Sequence, residues 1–284
     1  MKMHQLIVTL LFIGVNFVTY GQESDILFFN QDCNFDLAGA DNSCEDERYN
    51  LLNILTEQGS EIDLLQDFSQ SDLQDRLEAS RLLIIPELED APSCGISDAT
   101  FLPDAAKTII VDYVNNGGGL YIVGSSQTVA FLNDLFDLNL SASGSTNMGV
   151  STLNEVQASG TPFESCPPTI PNLTATSLIT SSMPDNKRCI YESGSSTSVA
   201  FFQVGLGTVF YIGYDYNDTG SGCSVDASTF LDCITLGGIE EAIEILPDPI
   251  PTLGEWGLII LLLLISIIGL SSLRQRNLIG CQLK

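Results

Sequence analysis

Acidic side chains crowd two polar stretches, each of which follows an apolar run. The first extends from Asp32 to Glu47, and the second contains Asp215, Asn217 and Asp218. Carboxylate and amide oxygens are the ligands that Ca²⁺ prefers in proteins. Asp32, Asp215 and Asp218 are therefore candidate calcium ligands, although neither stretch has the spacing of an EF-hand loop. A solvated acidic loop is the simpler interpretation of the same residues.

Histidine chemistry is excluded from almost the whole chain, because the only histidine is His4. Without a second histidine, a Ser-His-Asp triad, a Cys-His pair and a His-ligated zinc site cannot form. Ser125 and Ser126 follow an apolar run, where backbone N–H groups could hold an anion. With nothing to activate either hydroxyl, helix capping is the favoured role. General base chemistry would need carboxylates, Tyr or Lys.

Eight cysteines raise the question of disulfides. Cys281 lies beyond a long apolar segment and is expected to be reduced, whereas seven others belong to a part expected to be exported, where disulfides persist. Cys233 lies in an apolar-periodic segment and is expected to be a buried free thiol. Spacing leaves other connectivities open. The pairs that we predict are Cys33–Cys44, Cys166–Cys189 and Cys94–Cys223.

The N-terminus has the layout of a secretory signal peptide. One charged residue, Lys2, is followed by an apolar run from Leu6 to Val18 that is short for a membrane span. Small residues before Gln22 fit a cleavage site. We therefore predict a signal peptide over residues 1–21 and use of the secretion machinery, with an uncleaved membrane helix as the alternative.

A second apolar stretch, residues 257–273, predicts a transmembrane helix near the C-terminus. At 1.5 Å per residue it rises about 26 Å, enough to span a slightly thinned bilayer core. Arg274 and Arg276 follow directly, and basic residues stay on the cytoplasmic side. The basic tail, residues 274–284, is thus expected inside and the preceding chain outside, as an intermediate in the inner membrane.

A short motif precedes this apolar stretch, and motif, helix and arginines together resemble the IPTL-CTERM sorting domain of bacterial envelope proteins. The resemblance covers about the last 30 residues. It implies recognition and cleavage by an exosortase, a membrane-embedded transpeptidase, and delivery to the cell envelope or surface. A plain single-pass anchor is the alternative. The motif residues are Ile250, Pro251, Thr252, Leu253, Trp256 and Gly257.

Charge separates the exported part from the two ends. All 36 acidic residues lie between Glu23 and Glu255 with only six basic ones, which leaves a net charge of −30 there. Such a surface repels nucleic acid and anionic membranes and favours solubility, cations or basic partners. Nucleic-acid binding is therefore excluded, and any surface ligand stays unknown.

Strand-like and helical segments alternate four times before residue 140. The apolar runs DILFF, EIDLL, RLLIIPELE and LYIVGSS are each followed by helical periodicity, the first helix stopping at Gly59 and the second capped by Ser71. This rhythm predicts an α/β fold with a doubly wound, mostly parallel, flavodoxin-like sheet. Two later β-rich runs hinge on Gly205–Gly207 and predict a hairpin whose second arm rejoins the sheet, before a last helix.

Domain boundaries follow from these patterns. A segment rich in Ser, Thr and Pro interrupts the rhythm and is expected to hold loops and short antiparallel strands. The predicted parts are an α/β domain over 22–140 and 199–245, its insertion 141–198, a proline-rich linker with the sorting motif over 246–256, the helix 257–273 and the tail 274–284.

Two segments of the α/β domain resemble the class I glutamine amidotransferase-like superfamily: YVNNGGGLYIVGSS (113–126) and GLGTVFYIGYDYND (205–218). The resemblance implies a flavodoxin-like fold. Catalytic members place a cysteine after the fourth strand, with a histidine and an acid, and this chain has Ser125 and no partner histidine there. We therefore expect a binding or scaffold role without catalysis. A metal- or carboxylate-dependent hydrolase is the alternative.

Overall fold

The computed structural model describes residues 25–30, 47–68, 71–88, 102–143, 150–171, 176–216 and 228–244, together with residue 265. The chain divides into two units, Met1–Ile245 and Leu246–Lys284. No helix within the described residues is long and apolar enough to cross a membrane. Several predicted parts lie outside the described residues: the signal peptide, the sorting motif, the basic tail and the transmembrane segment, of which only Ile265 is described.

The first unit is built from helices and one mixed β-sheet. Its described strands are β1 (Ile26–Phe29), β2 (Ile62–Leu65), β3 (Leu82–Ile85), β4 (Gly119–Val123), β5 (Ala142–Ser143), β6 (Ser151–Leu153), β7 (Thr169–Ile170), β8 (Ser177–Ile179), β9 (Arg188–Ser193), β10 (Ser196–Val204) and β11 (Gly207–Ile212). Its described helices are α1 (Glu47–Glu57), α2 (Leu73–Glu78), α3 (Asp104–Asn115), α4 (Ser126–Phe136), α5 (Glu155–Ala158) and α6 (Ser228–Glu244), with 3-10 turns at Pro162–Ser165 and Thr180–Ser182.

Five strands form the parallel part of the sheet, in the order β2-β1-β3-β4-β11. β1, β3, β4 and β11 are buried at every residue. Continuous apolar runs are what a parallel strand covered on both faces requires. β2 forms the edge and is partly exposed. The predicted alternation of parallel strands and helices is confirmed.

Beyond β11 the sheet is antiparallel, continuing through β10, β9, β6 and β7, while β8 pairs with β10 and β5 with β8. The β10–β11 hairpin turns at Gly205, whose φ is +60°. Its second arm rejoins the sheet, as predicted, and does so by pairing with β4. The short strands of the insertion, residues 141–198, also pair antiparallel, as predicted. The sheet is therefore mixed, with its parallel part between β2 and β11.

The pleat of the strands divides the apolar side chains between two cores. On β1, Leu27 and Phe29 enter a first core with residues of α2, α3 and α4. Ile26 and Phe28 enter a second core with residues of α1, α6 and the insertion. Because successive side chains of a strand point to opposite faces, the apolar run of β1 fills both cores. The sheet is thus covered by helices on both sides.

Helix ends agree with the sequence-based predictions in two places and disagree in one. Gly59 follows α1 with a φ of +77°, a conformation that favours glycine, as predicted. The Ser125 side chain caps α4 by accepting a hydrogen bond from the backbone N–H of Thr128 at 3.0 Å. The prediction that Ser71 caps α2 is wrong, because the capping position is Asp72, whose side chain makes no capping bond.

The predicted Cys166–Cys189 disulfide is wrong, and so is the prediction of a free thiol at Cys233. Cys166 is bonded to Cys233, and Cys189 is a buried free thiol on β9. The physical reason is the sheet itself: Cys166 packs in the second core and Cys189 in the first, on opposite faces. The other predicted partners, Cys33, Cys44, Cys94 and Cys223, lie outside the described residues.

Candidate functional site

The strand order creates a topological switch point between β1 and β3. From β1 the chain moves outward to β2, then returns to place β3 on the other side of β1. Connections leaving β1 and β3 therefore diverge at the carboxyl ends of these strands. In open parallel α/β sheets, ligands bind in the crevice at such a switch point.

Three carboxylates converge at this edge. Glu47 opens α1, the first described helix after β1. Glu87 follows β3 by two residues, and Asp215 follows β11 by three. One carboxylate oxygen of each residue lies within 4.8 Å of those of the other two. Glu47 and Glu87 are only 6% and 7% exposed, and Asp215 is partly exposed. We refer to these three residues as the acidic cluster.

Charge repulsion makes this arrangement costly unless it is neutralised. Two unit negative charges 4.8 Å apart repel by roughly 3 kcal/mol at an effective dielectric constant of about 20. Buried carboxylates are normally paired, protonated or bound to a metal. The acidic cluster can therefore hold a cation, or share a proton between its carboxyl groups. Hard cations such as Ca²⁺ prefer oxygen ligands of this kind.

Two buried tyrosines stand beside the acidic cluster. Burial raises the pKa of Tyr211 well above its ordinary value, and the negative charges of Glu87 and Asp215 raise it further. Its hydroxyl donates to the backbone oxygen of Thr176. A neutral tyrosine whose proton is held by a carbonyl is poorly suited to act as a general base.

The second tyrosine, Tyr216, ties the edge of the sheet to α6. Burial is the main cause of its raised pKa, and nearby negative charges, including that of Glu47, add to the shift. Its hydroxyl bonds the hydroxyls of Tyr121 and Thr235, each at 2.6 Å. The Asn50 side chain donates to the Tyr216 backbone oxygen at 2.7 Å. This network fixes Tyr216, which lies within the second acidic stretch, directly after Asp215.

The sequence anticipated part of this cluster. Asp215 lies in it, and Glu47 ends the acidic stretch that begins at Asp32. Asp32 and Asp218 lie outside the described residues. Glu87 was not predicted, although one signal could have found it: it follows a buried strand and Pro86, where a parallel strand ends.

The serine site at the end of β4 is structural. Ser125 is 4% exposed, and its hydroxyl donates to the backbone oxygen of Leu88 at 2.5 Å while accepting from the N–H of Thr128. Its oxygen is committed to fixing the start of α4, as expected for a cap. Ser126 is exposed, and its hydroxyl bonds the neighbouring Gln127 side chain.

Comparison with known proteins concerns the two units separately. Residues 248–276 match the IPTL-CTERM motif. This confirms the predicted C-terminal sorting signal of an exported protein. No curated protein sequence matches the chain.

The α/β unit is similar to several solved structures at low sequence identity. Cytoplasmic protein STM3548 from Salmonella typhimurium is 15% identical with a TM-score of 0.54, and covers 77% of this chain and 98% of its own. Cytoplasmic protein STM1381 from Salmonella typhimurium LT2 is 14% identical with a TM-score of 0.53 and the same two coverages. A thua-like protein from Bacteroides uniformis is 11% identical with a TM-score of 0.49, covering 78% of this chain and 94% of its own.

These likenesses establish the fold alone. The predicted superfamily therefore remains a prediction. The similarity to the solved structures supports the α/β architecture with a mixed sheet that the described strands and helices form.

Proposed function

We propose that this protein is an exosortase substrate that carries a binding or scaffold domain to the cell envelope. The match of residues 248–276 to the IPTL-CTERM motif carries the proposal. The apolar residues 257–273 would hold the chain in the inner membrane, with Arg274 and Arg276 inside, until an exosortase-type enzyme cuts near Pro251 and Trp256.

The mass of the mature protein tests this processing step. In native envelopes containing the sorting enzyme, we expect a chain that has lost both the signal peptide and the apolar C-terminal segment. Trp256→Ala should cause the uncut form to accumulate, whereas Gln282→Ala, beyond the matched motif, should be processed normally. An intact C-terminus on wild-type protein in that strain would show that the segment is a plain membrane anchor.

The order of the parallel strands supports a flavodoxin-like, doubly wound domain, because the order 2-1-3-4-5 is typical of that fold. A non-catalytic role is supported by the commitment of the Ser125 hydroxyl to capping and by the lack of a histidine other than His4. The domain would then display the carboxyl edge of its sheet to a surface ligand that the sequence does not name.

The acidic cluster favours a second candidate function, which is binding of a divalent cation such as Ca²⁺. Support comes from the convergence of Glu47, Glu87 and Asp215 within 4.8 Å at the switch point of the sheet. A metal-dependent hydrolase would need this site. Calorimetric titration with CaCl₂ tests it: stoichiometric binding lost in Glu87→Gln but kept in the exposed Glu57→Gln supports the site, and no binding to wild type refutes it.

A further inference from the structure

The last described helix, α6, has a low intrinsic helix propensity, yet it packs on the centre of the sheet. It contributes Phe230, Leu231, Ile234 and Ala242 to the second core and packs on β3, β4 and β11. Two consecutive glycines, Gly237 and Gly238, lie within it, although glycine is among the poorest helix formers. Its last turn holds acidic residues and no basic one, the unfavourable sign for the negative end of the helix dipole.

Packing imposes the glycines. A Cβ on Gly238 would lie 2.4 Å from the ring of Phe210 in β11, and one on Gly237 would lie 3.0 Å from the ring of Phe163. The contact at Gly238 leaves no room for a methyl group, and a methyl group at Gly237 would require the Phe163 ring to shift slightly. The helix therefore trades intrinsic stability for a close approach to the sheet, and it needs support from tertiary contacts.

The Cys166–Cys233 disulfide supplies that support at the right position. Cys233 lies one turn before Gly237, so both occupy the same face of α6. Cys166 directly follows the 3-10 turn that carries Phe163, the ring packed on Gly237. The bond joins residues 67 positions apart and links the insertion to the last helix. Closure of a loop this long restricts the unfolded chain strongly.

Polar contacts also join α6 to the rest of the domain. The Thr235 hydroxyl bonds the Tyr216 hydroxyl at 2.6 Å, and Arg81 donates to the backbone oxygen of Ile243 at 3.1 Å. Cys166 is buried, whereas Cys233 is partly buried and thus the more accessible sulfur. In the docked helix, a thiol that attacks the bond would therefore meet Cys233 first.

We propose that the Cys166–Cys233 disulfide is a redox lock for α6: the helix docks on the sheet stably only after the bond forms, and undocks when it is reduced. The oxidant is a disulfide of an exported thiol oxidase. The Cys233 thiolate attacks it and forms a mixed disulfide, releasing one thiol of the oxidant. The Cys166 thiolate then displaces the second, so the protein loses two electrons and two protons while the oxidant becomes a dithiol. The lock therefore closes in an oxidising compartment and stays open in a reducing one.

Hydrogen exchange on the full-length chain in detergent micelles tests this lock. The double variant Cys166→Ser/Cys233→Ser should exchange the amides of α6 at least about tenfold faster than the wild type, with the amides of β1 and β3 protected in both. Cys189→Ser, which leaves the disulfide intact, should match the wild type. Reduced wild-type protein, alkylated at Cys166 and Cys233, should behave as the double variant does.

Two outcomes would overturn the proposal. Equal protection of α6 with and without the bond would show that packing alone holds the helix. Loss of protection in β1 and β3 together with α6 would show that the bond stabilises the whole domain and does not control a separate element. A double variant that does not fold gives this second result.

Discussion

The carboxylates of Glu47 and Glu87 meet at the carboxyl edge of the sheet, each with an oxygen within 4.8 Å of the other and of Asp215. One residue opens the helix after β1 and the other follows β3, so the meeting depends on these two strands being neighbours. Both side chains are more than nine-tenths buried. Their proximity concentrates negative charge at this edge of the sheet, where it would favour a cation or a shared proton.

Replacement of Glu87 by Gln should stabilise the domain in the absence of cations and abolish its response to Ca²⁺. Removal of one of three mutually repelling charges should raise the free energy of unfolding by about 1 kcal/mol, or the Tm by about 2–4 °C. Calcium should raise the Tm of the wild type and of Glu57→Gln, but not that of Glu87→Gln. Differential scanning fluorimetry with CaCl₂ or EDTA measures both effects, with Glu57→Gln as the exposed control. A lower Tm for Glu87→Gln in EDTA would contradict the repulsion.

Replacement of Ser125 by Ala should destabilise the domain through its cap. The variant loses the hydrogen bond from the Thr128 N–H and the one to the Leu88 oxygen, at a cost of about 1–2 kcal/mol. Ser126→Ala removes an exposed hydroxyl one residue later and should change stability by less than about 0.5 kcal/mol. Urea unfolding curves compare the two. Equal stability of both variants would contradict the capping role.

Addition of a methyl group at Gly238 should destabilise the domain even though alanine is the better helix former. The new Cβ would lie 2.4 Å from the Phe210 ring, and overpacking of this kind costs about 1–3 kcal/mol. At Gly237 the closest ring atom lies at 3.0 Å, so Gly237→Ala should have the smaller effect. Thermal unfolding of the two variants ranks them. A stabilised Gly238→Ala variant would show that helix propensity dominates there.

Replacement of Arg76 by Ala should uncover β2, the edge strand of the described sheet. Arg76 forms an ion pair with Asp63 at 2.8 Å and donates to the Leu64 backbone oxygen at 2.8 Å, on the outer side of β2. An uncovered edge strand can pair with another chain. Arg76→Ala should therefore show concentration-dependent self-association in analytical ultracentrifugation. Lys107→Ala breaks a surface ion pair with Asp134, which joins two helices away from this edge. This control variant should not self-associate. A monomeric Arg76→Ala variant would show that the edge has other protection.

Alkaline pH should unfold the domain through its buried tyrosines. Burial raises the pKa of Tyr121, and the neighbouring Tyr216 hydroxyl raises it further. A phenol whose folded pKa exceeds its unfolded value of 10.0 contributes stability that is fully present below pH 10 and is lost as the pH rises above it. Tyrosinate absorbance and far-UV circular dichroism should therefore change together above pH 10. Titration of these tyrosines well before loss of structure would contradict their burial.

Local patterns predicted the elements well. The apolar runs that became β1, β3 and β4 are short and continuous, and such runs identify buried parallel strands without reference to distant residues. Gly59 and the hairpin turn at Gly205 were also predictable, because positive φ favours glycine. Ser71 was assigned as a cap from residue type, but the helix starts after Asp72, and helix ends are the least certain part of such a pattern.

Pairings between distant residues were not predictable in the same way. Cys166 and Cys189 are close in sequence but on opposite faces of the sheet, while Cys233 reaches Cys166 because α6 covers the second core. Which face a cysteine occupies depends on strand register, and the spacing of cysteines does not contain that information. The same reason explains why Glu87 was not assigned to the acidic cluster.

The sequence by itself determined the strand–helix rhythm, the acidic exported part and the sorting signal at residues 248–276. Each of these is written in contiguous residues, whose periodicity, charge or order is sufficient evidence. Only the tertiary structure showed that Glu47, Glu87 and Asp215 lie together and that Cys166 forms a disulfide with Cys233. Those relationships arise from the order of the strands and the side on which each helix packs, and they join residues that no local pattern connects.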